Sequence, residues 1–163
     1  SDVTHFSLKD ILEQKLEISI PDIQSFGNVI LEEQPQTYRT SFESGIIVKN
    51  HYPQSGKGWR LDVSATQLTN ENHQLPKGSL SLKPLSEIKQ IGEGHGELPV
   101  NSMNQKSVID IGKVTIASAT SGDGIGEFEL IFPTNSLELI IDPTTAKKGT
   151  YQTTLTWDLI SAP

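Results

Sequence analysis

Apolar and polar residues alternate with a period of two along most of this chain, the pattern of strands that bury one face. Leu16, Ile18 and Ile20 alternate with Glu17 and Ser19 until Pro21 stops the run. Trp59, Leu61, Val63 and Ala65 alternate with Arg60, Asp62 and Ser64. Phe128, Leu130 and Phe132 make another row, Leu137, Leu139 and Ile141 a further one, and Tyr151, Thr153, Leu155, Trp157 and Leu159 the last. Weaker strand candidates lie at residues 45–50, 79–83 and 108–117. Turn chemistry separates the rows at Pro53-Gln54-Ser55-Gly56-Lys57-Gly58, Ser121-Gly122-Asp123-Gly124, Pro133-Thr134-Asn135 and Lys147-Lys148-Gly149. Eight or more short strands punctuated in this way predict an all-β sandwich or barrel.

Two stretches depart from the alternation. Ser7 with Asp10 resembles a capping box, and Leu8, Ile11, Leu12 and Leu16 fall at helical spacing, so a short helix or helical loop is predicted over residues 7–15. Residues 92–104 carry Gly92, Gly94, Gly96 and Pro99 without periodicity and read as a long loop. The segments on either side are each too short for a full sandwich, which favours a single β-sandwich-like domain over residues 1–163.

Composition narrows the chemistry. A chain of 163 residues buries enough surface to fold without a disulfide or a metal. It has no cysteine, which removes thiolate catalysis, Cys-type zinc sites and disulfides together. The net charge of −7 argues against a nucleic-acid or anionic-membrane partner, both of which require a basic patch. No run of 18 apolar residues is present, so no membrane-spanning helix is expected. Ser1-Asp2-Val3-Thr4 has neither a basic n-region nor an apolar h-region, so a secreted chain with this start is expected to be a mature form or an excised domain.

His5, His51, His73 and His95 are scattered without a zinc-binding spacing. Asp123, Glu127 and Glu129 follow a glycine-rich turn that lacks the oxygen ladder of a calcium loop, so a hairpin with an acidic strand face is expected instead. No metal and no cofactor are therefore expected. A glycan hydrolase is an alternative, with His95 beside Glu93 and Glu97, but no acid/base pair stands out. The expectation is a protein that is not an enzyme.

Two Trp-x-Leu strands remain, Trp59 with Leu61 and Trp157 with Leu159, nearly 100 residues apart. Residues i and i+2 share a strand face, so each Trp projects with its Leu. The burial habits of tryptophan favour a core role for both rings. A partly exposed aromatic platform for a ligand is the sharper alternative.

The ending Gly149-Thr150-Tyr151-Gln152-Thr153-Thr154-Leu155-Thr156-Trp157-Asp158-Leu159-Ile160-Ser161-Ala162-Pro163 resembles the C-terminal signature of WxL domains, surface-locating domains of low-GC Gram-positive bacteria. Gly58-Trp59-Arg60-Leu61-Asp62-Val63-Ser64-Ala65-Thr66-Gln67-Leu68 resembles the family's first motif. Phe26-Gly27-Asn28-Val29 and Leu137-Glu138-Leu139-Ile140-Ile141-Asp142-Pro143 are similar to further family patterns. The likeness runs from about Ile18 to the terminus, while the segment from Lys9 to Lys15 looks longer and more helical than the family's N-terminal strand region. The resemblance implies a secreted β-rich domain held noncovalently on the cell wall through peptidoglycan. It also implies that other surface proteins encoded nearby can assemble with it. Carried onto this chain, the motif residues are Trp59, Leu61, Trp157 and Leu159, as ligand contacts or as parts of the fold.

Tyr38, Phe42, His51 and Tyr52 are aromatic positions outside the clearest strand rows. His51-Tyr52-Pro53 enters a turn, which makes His51 and Tyr52 candidate glycan contacts, against the simpler role of rings packed on the rim. A third functional class, an assembly module that docks a partner surface protein by edge-strand pairing, fits an acidic β-rich chain equally well.

Overall fold

A computed structural model describes residues 16–162, apart from 28, 30, 31 and 53–55. The described residues are all-β, with no helix. The helix expected over residues 7–15 lies outside them, as do Asn28 of the Phe26-Gly27-Asn28-Val29 pattern and Pro53, Gln54 and Ser55 of the first predicted turn.

The strands are β1 (Leu16–Ser19), β2 (Gln36–Thr40), β3 (Ile46–Asn50), β4 (Gly58–Ala65), β5 (Leu80–Leu82), β6 (Glu87–Gln90), β7 (Val100–Asn101), β8 (Ser107–Val108), β9 (Val114–Ala119), β10 (Gly126–Ile131), β11 (Leu137–Ile141) and β12 (Leu155–Ala162). They form three four-stranded sheets, ordered β1-β3-β10-β6, β2-β11-β5-β8 and β12-β4-β9-β7, with every pairing antiparallel. One buried apolar cluster draws on all three: Ile46, Val48 and Leu130 from the first, Leu80, Leu82, Leu137 and Leu139 from the second, Trp59, Leu61, Val63 and Ile116 from the third.

The period-two rows become strands because alternation gives each a buried and a wet face. In β10 Phe128 and Leu130 are buried, while Glu127, Glu129 and Ile131 are half-exposed. Three details differ from the sequence reading. The stretch at 108–117 is not one strand: β8 ends at Val108 and β9 begins at Val114. Between them the buried Asp110 carboxylate accepts hydrogen bonds from the backbone N–H groups of Gly78 (3.0 Å), Ser79 (3.1 Å) and Leu80 (3.3 Å), which turns the chain toward β5. The last row hydrogen-bonds as a strand only from Leu155, with Gln152 joined to Thr69 by an isolated bridge. Residues 92–104 include β7 and a bridge from His95 to Ile125 within otherwise irregular chain.

Candidate functional site

The two Trp-x-Leu strands are neighbours. β4 and β12 pair antiparallel with Leu61 opposite Leu159, Val63 opposite Trp157 and Ser161 opposite Trp59. Because the leucines face one another and the strands run in opposite directions, the tryptophans stand on either side of that pair, toward opposite ends of the sheet.

Trp59 is sealed. It is 0% exposed, and its Nε1 donates to the Gly124 carbonyl at 3.0 Å. The buried Asn50 side chain donates to the same oxygen through Nδ2 at 2.9 Å. A core indole needs a partner for its N–H, and the glycine-rich turn supplies it. Gly124 has φ +58, and a Cβ there would stand 2.4 Å from the Ala119 Cβ and 3.0 Å from the Trp59 Nε1, so glycine is what lets the turn close over the ring. Asp123 fixes that turn. Its carboxylate accepts from the Glu97 backbone N–H (2.9 Å) and the Thr120 hydroxyl (2.8 Å), and these bonds hold its pKa below the usual carboxylate value.

Trp157 is half-buried at the other end of the pair. Its ring meets Phe42 edge-on, with centroids 5.9 Å apart, and Phe132 at a tilt, 6.3 Å away. Phe42 and Phe132 stack on each other at 4.8 Å. Phe42 comes just before β3, and Phe132 just after β10, so two antiparallel neighbours bring them to the same end of their sheet. None of the three rings is fully buried. Leu155 and Leu159 flank Trp157 on the same face of β12 and are also half-buried. β12 is an edge strand, with β4 as its hydrogen-bonded neighbour among the described residues.

The outward face of the same strand pair is a charged ladder. Asp62 and Asp158 lie directly opposite each other. Asp62, buried, accepts from the Thr115 hydroxyl at 2.7 Å and from the Arg60 Nε at 3.1 Å. Asp158 sits 2.9 Å from the Lys113 Nζ, and this bond and charge raise the pKa of Lys113. Each carboxylate thus carries its own cation, which relieves the repulsion between two acids on adjacent strands.

His51 and Tyr52 follow β3, whereas Phe42 precedes it, so the full length of β3 separates them from the Trp157 cluster. His51 is exposed and Tyr52 half-buried, with the Tyr52 backbone N–H held by the Asn50 Oδ1 at 3.1 Å. The fold therefore gathers Leu61, Trp157 and Leu159 in one region, puts Trp59 beneath the Gly124 turn, and leaves His51 and Tyr52 apart. Phe42 and Phe132 are visible in the sequence but their meeting with Trp157 is not, since that contact joins three segments distant in the chain.

Two carboxylates outside this region are also perturbed. Asp142 accepts from the backbone N–H and the hydroxyl of Thr144, which lowers its pKa. Glu138 is 3% exposed. Burial pushes its pKa up, but Lys106, Arg39 and Lys83 outweigh that and leave it below the usual value.

Residues 14–163 match the family model described as WxL domain, surface cell wall-binding. No curated protein and no solved structure matches the chain.

Proposed function

This chain belongs to the WxL family of surface cell wall-binding domains, and we propose that it fastens its host protein to the wall noncovalently by binding peptidoglycan at the aromatic cluster around Trp157. The observation that carries this reading is the contrast between the two tryptophans: Trp59 has no open surface, whereas Trp157 keeps a wet side beside Phe42 and Phe132. Half-open rings suit the apolar face of a sugar, and amphipathic rings recur where one end is dry and the other wet. A secreted protein at the cell surface is the location that such a ligand requires. The role is binding without catalysis, and the opposed Asp62 and Asp158 support it, because each is committed to a cation in a structural ladder.

The test is sedimentation with purified sacculi. Trp157→Ala is expected to lose cosedimentation while keeping its far-ultraviolet circular dichroism, and Phe132→Ala to weaken it. A folded Trp157→Ala that sediments like the unaltered protein overturns the reading. His51 and Tyr52 form a separate candidate contact, removed from consideration if Tyr52→Ala sediments unchanged. The edge position of β12 among the described residues favours one second reading, docking of another surface protein by strand addition. Binding to protein-coated walls but not to protease-stripped sacculi would select it over direct glycan binding.

A further inference from the structure

The outward face of the β2-β11-β5-β8 sheet carries cations that the aromatic cluster does not use. In its register Arg39 on β2 lies opposite Glu138 on β11, Glu138 opposite Ser81 on β5, and Ser81 opposite Val108 on β8. Lys83 directly follows β5 and Lys106 directly precedes β8, so the antiparallel pairing brings both to the same end of these two strands. The Arg39 Nε lies 3.1 Å from the Glu138 Oε1, and the Lys106 Nζ lies 3.4 Å from Oε2. Lys83 is near enough to act on the same carboxylate and has no ion pair of its own among the described residues.

Three cations thus surround one carboxylate in a protein whose net charge is −7. A single cation would neutralise Glu138. Lys83 and Lys106 share that one carboxylate with Arg39, which leaves positive charge in excess at this end of the strands, a cost that a further anion would relieve. Glu138, 3% exposed, acts as an anchor that holds Arg39 by Nε and Lys106 by its ammonium while both side chains stay about half open, at 48% and 49%. Glu138 Oε2 is met by Lys106 alone, at the long distance of 3.4 Å, so that ammonium is not fully engaged by the carboxylate. Two residues along the same face, Ile140 borders a shallow groove of about 190 Å³ shared with Pro76, Gly78, Ser79, Asp142 and Thr145, which gives room for a neutral unit beside the charged one.

We propose that Arg39, Lys83 and Lys106 form a subsite for the phosphate group of an anionic wall polymer, an extension that rests on the wall-binding reading above. Cations converging from three segments of the chain suit a group with several charged oxygens, and a guanidinium held through Nε keeps its outer fork for a bidentate contact.

The experiment measures sedimentation with two preparations: intact sacculi, and sacculi stripped of phosphodiester-linked polymers by hydrofluoric acid. The Lys83→Gln/Lys106→Gln double variant is expected to bind intact sacculi about tenfold or more weakly, the scale of losing charged hydrogen bonds, and to bind stripped sacculi like the unaltered protein. The Lys49→Gln/Lys89→Gln variant, with the same charge change on another sheet, is expected to bind both preparations normally. Inorganic phosphate is expected to compete only with the part of binding that stripping removes. The subsite is overturned if the first double variant matches the unaltered protein on intact sacculi, or if stripping leaves the binding of the unaltered protein unchanged. Failure of the unaltered protein to bind stripped sacculi at all would instead sink the peptidoglycan reading and leave the phosphate subsite standing.

Discussion

The two Trp-x-Leu strands carry the same short pattern and lie side by side, but they occupy different positions in their sheet. β4 has a hydrogen-bonded neighbour on each side, β12 and β9, so its Trp59 is covered from every direction. Among the described residues β12 is paired with β4 alone, and its Trp157 is finished by phenylalanines that flank β3 and β10. Position in the sheet, rather than the motif, decides which tryptophan builds the core and which meets solvent. One pattern serves two purposes.

Breaking each strand in turn sharpens this contrast. Trp59→Ala is expected to cost about 3–5 kcal/mol, the penalty for emptying a fully buried aromatic site, and to leave the Gly124 carbonyl with one donor fewer. Chemical denaturation measures it, and a loss under ~1 kcal/mol would show that the pocket collapses around the gap. Gly58→Ala, in the same strand, is expected to cost about 1–3 kcal/mol, because the new Cβ would stand 2.0 Å from the Ala119 carbonyl oxygen. Trp157→Ala is expected to cost only about 1–2 kcal/mol, a partial share of the same penalty, with its main effect on sacculus binding. If thermal melting ranks the two tryptophans equally, the difference between central and edge strand has been misjudged.

Two titrations give smaller effects. The pKa of Glu138 is lowered in the folded chain, so its contribution to stability is present above its ordinary value of 4.5 and is lost as pH falls through the folded value. Melting temperatures below pH 4.5 should therefore fall less steeply in Glu138→Gln than in the unaltered protein. On the strand pair itself, Asp158 raises the pKa of Lys113 above 10.5. The stability from that pair is present below 10.5 and disappears as pH climbs through the raised value. Asp158→Asn should move the Lys113 titration, followed by nuclear magnetic resonance, back toward 10.5.

Much of the architecture was legible in the chain, for a definite reason. The rows at Trp59, Phe128 and Leu137 alternate strongly because each packs one face on the shared core, and they became β4, β10 and β11. The elements that went unread are those with little core to show. β6 is Glu87-Ile88-Lys89-Gln90, with a single apolar residue, and it is a strand because β10 offers it a hydrogen-bonding edge. β2 likewise has Tyr38 as its one large ring and is recruited by β11. The break between β8 and β9 depends on Asp110 capturing three N–H groups of a distant segment, which no local pattern announces. For the candidate site, Trp157 and Leu159 were visible, but period two reads the same on an edge strand as on a central one. The convergence of Phe42 and Phe132 on Trp157, and of Lys83 and Lys106 beside Glu138, follows from cross-strand register and becomes visible only once the strands are aligned.

The alignment of β4 with β12 also has a consequence in time. These partners are separated by most of the described chain, so their pairing closes a very long loop, and contacts of that kind form late and slowly. Until β12 arrives, one edge of β4 is bare and the row of Trp59, Leu61 and Val63 has no lid on that flank. The closure of that loop is therefore expected to set a slow overall folding rate for a chain of this size.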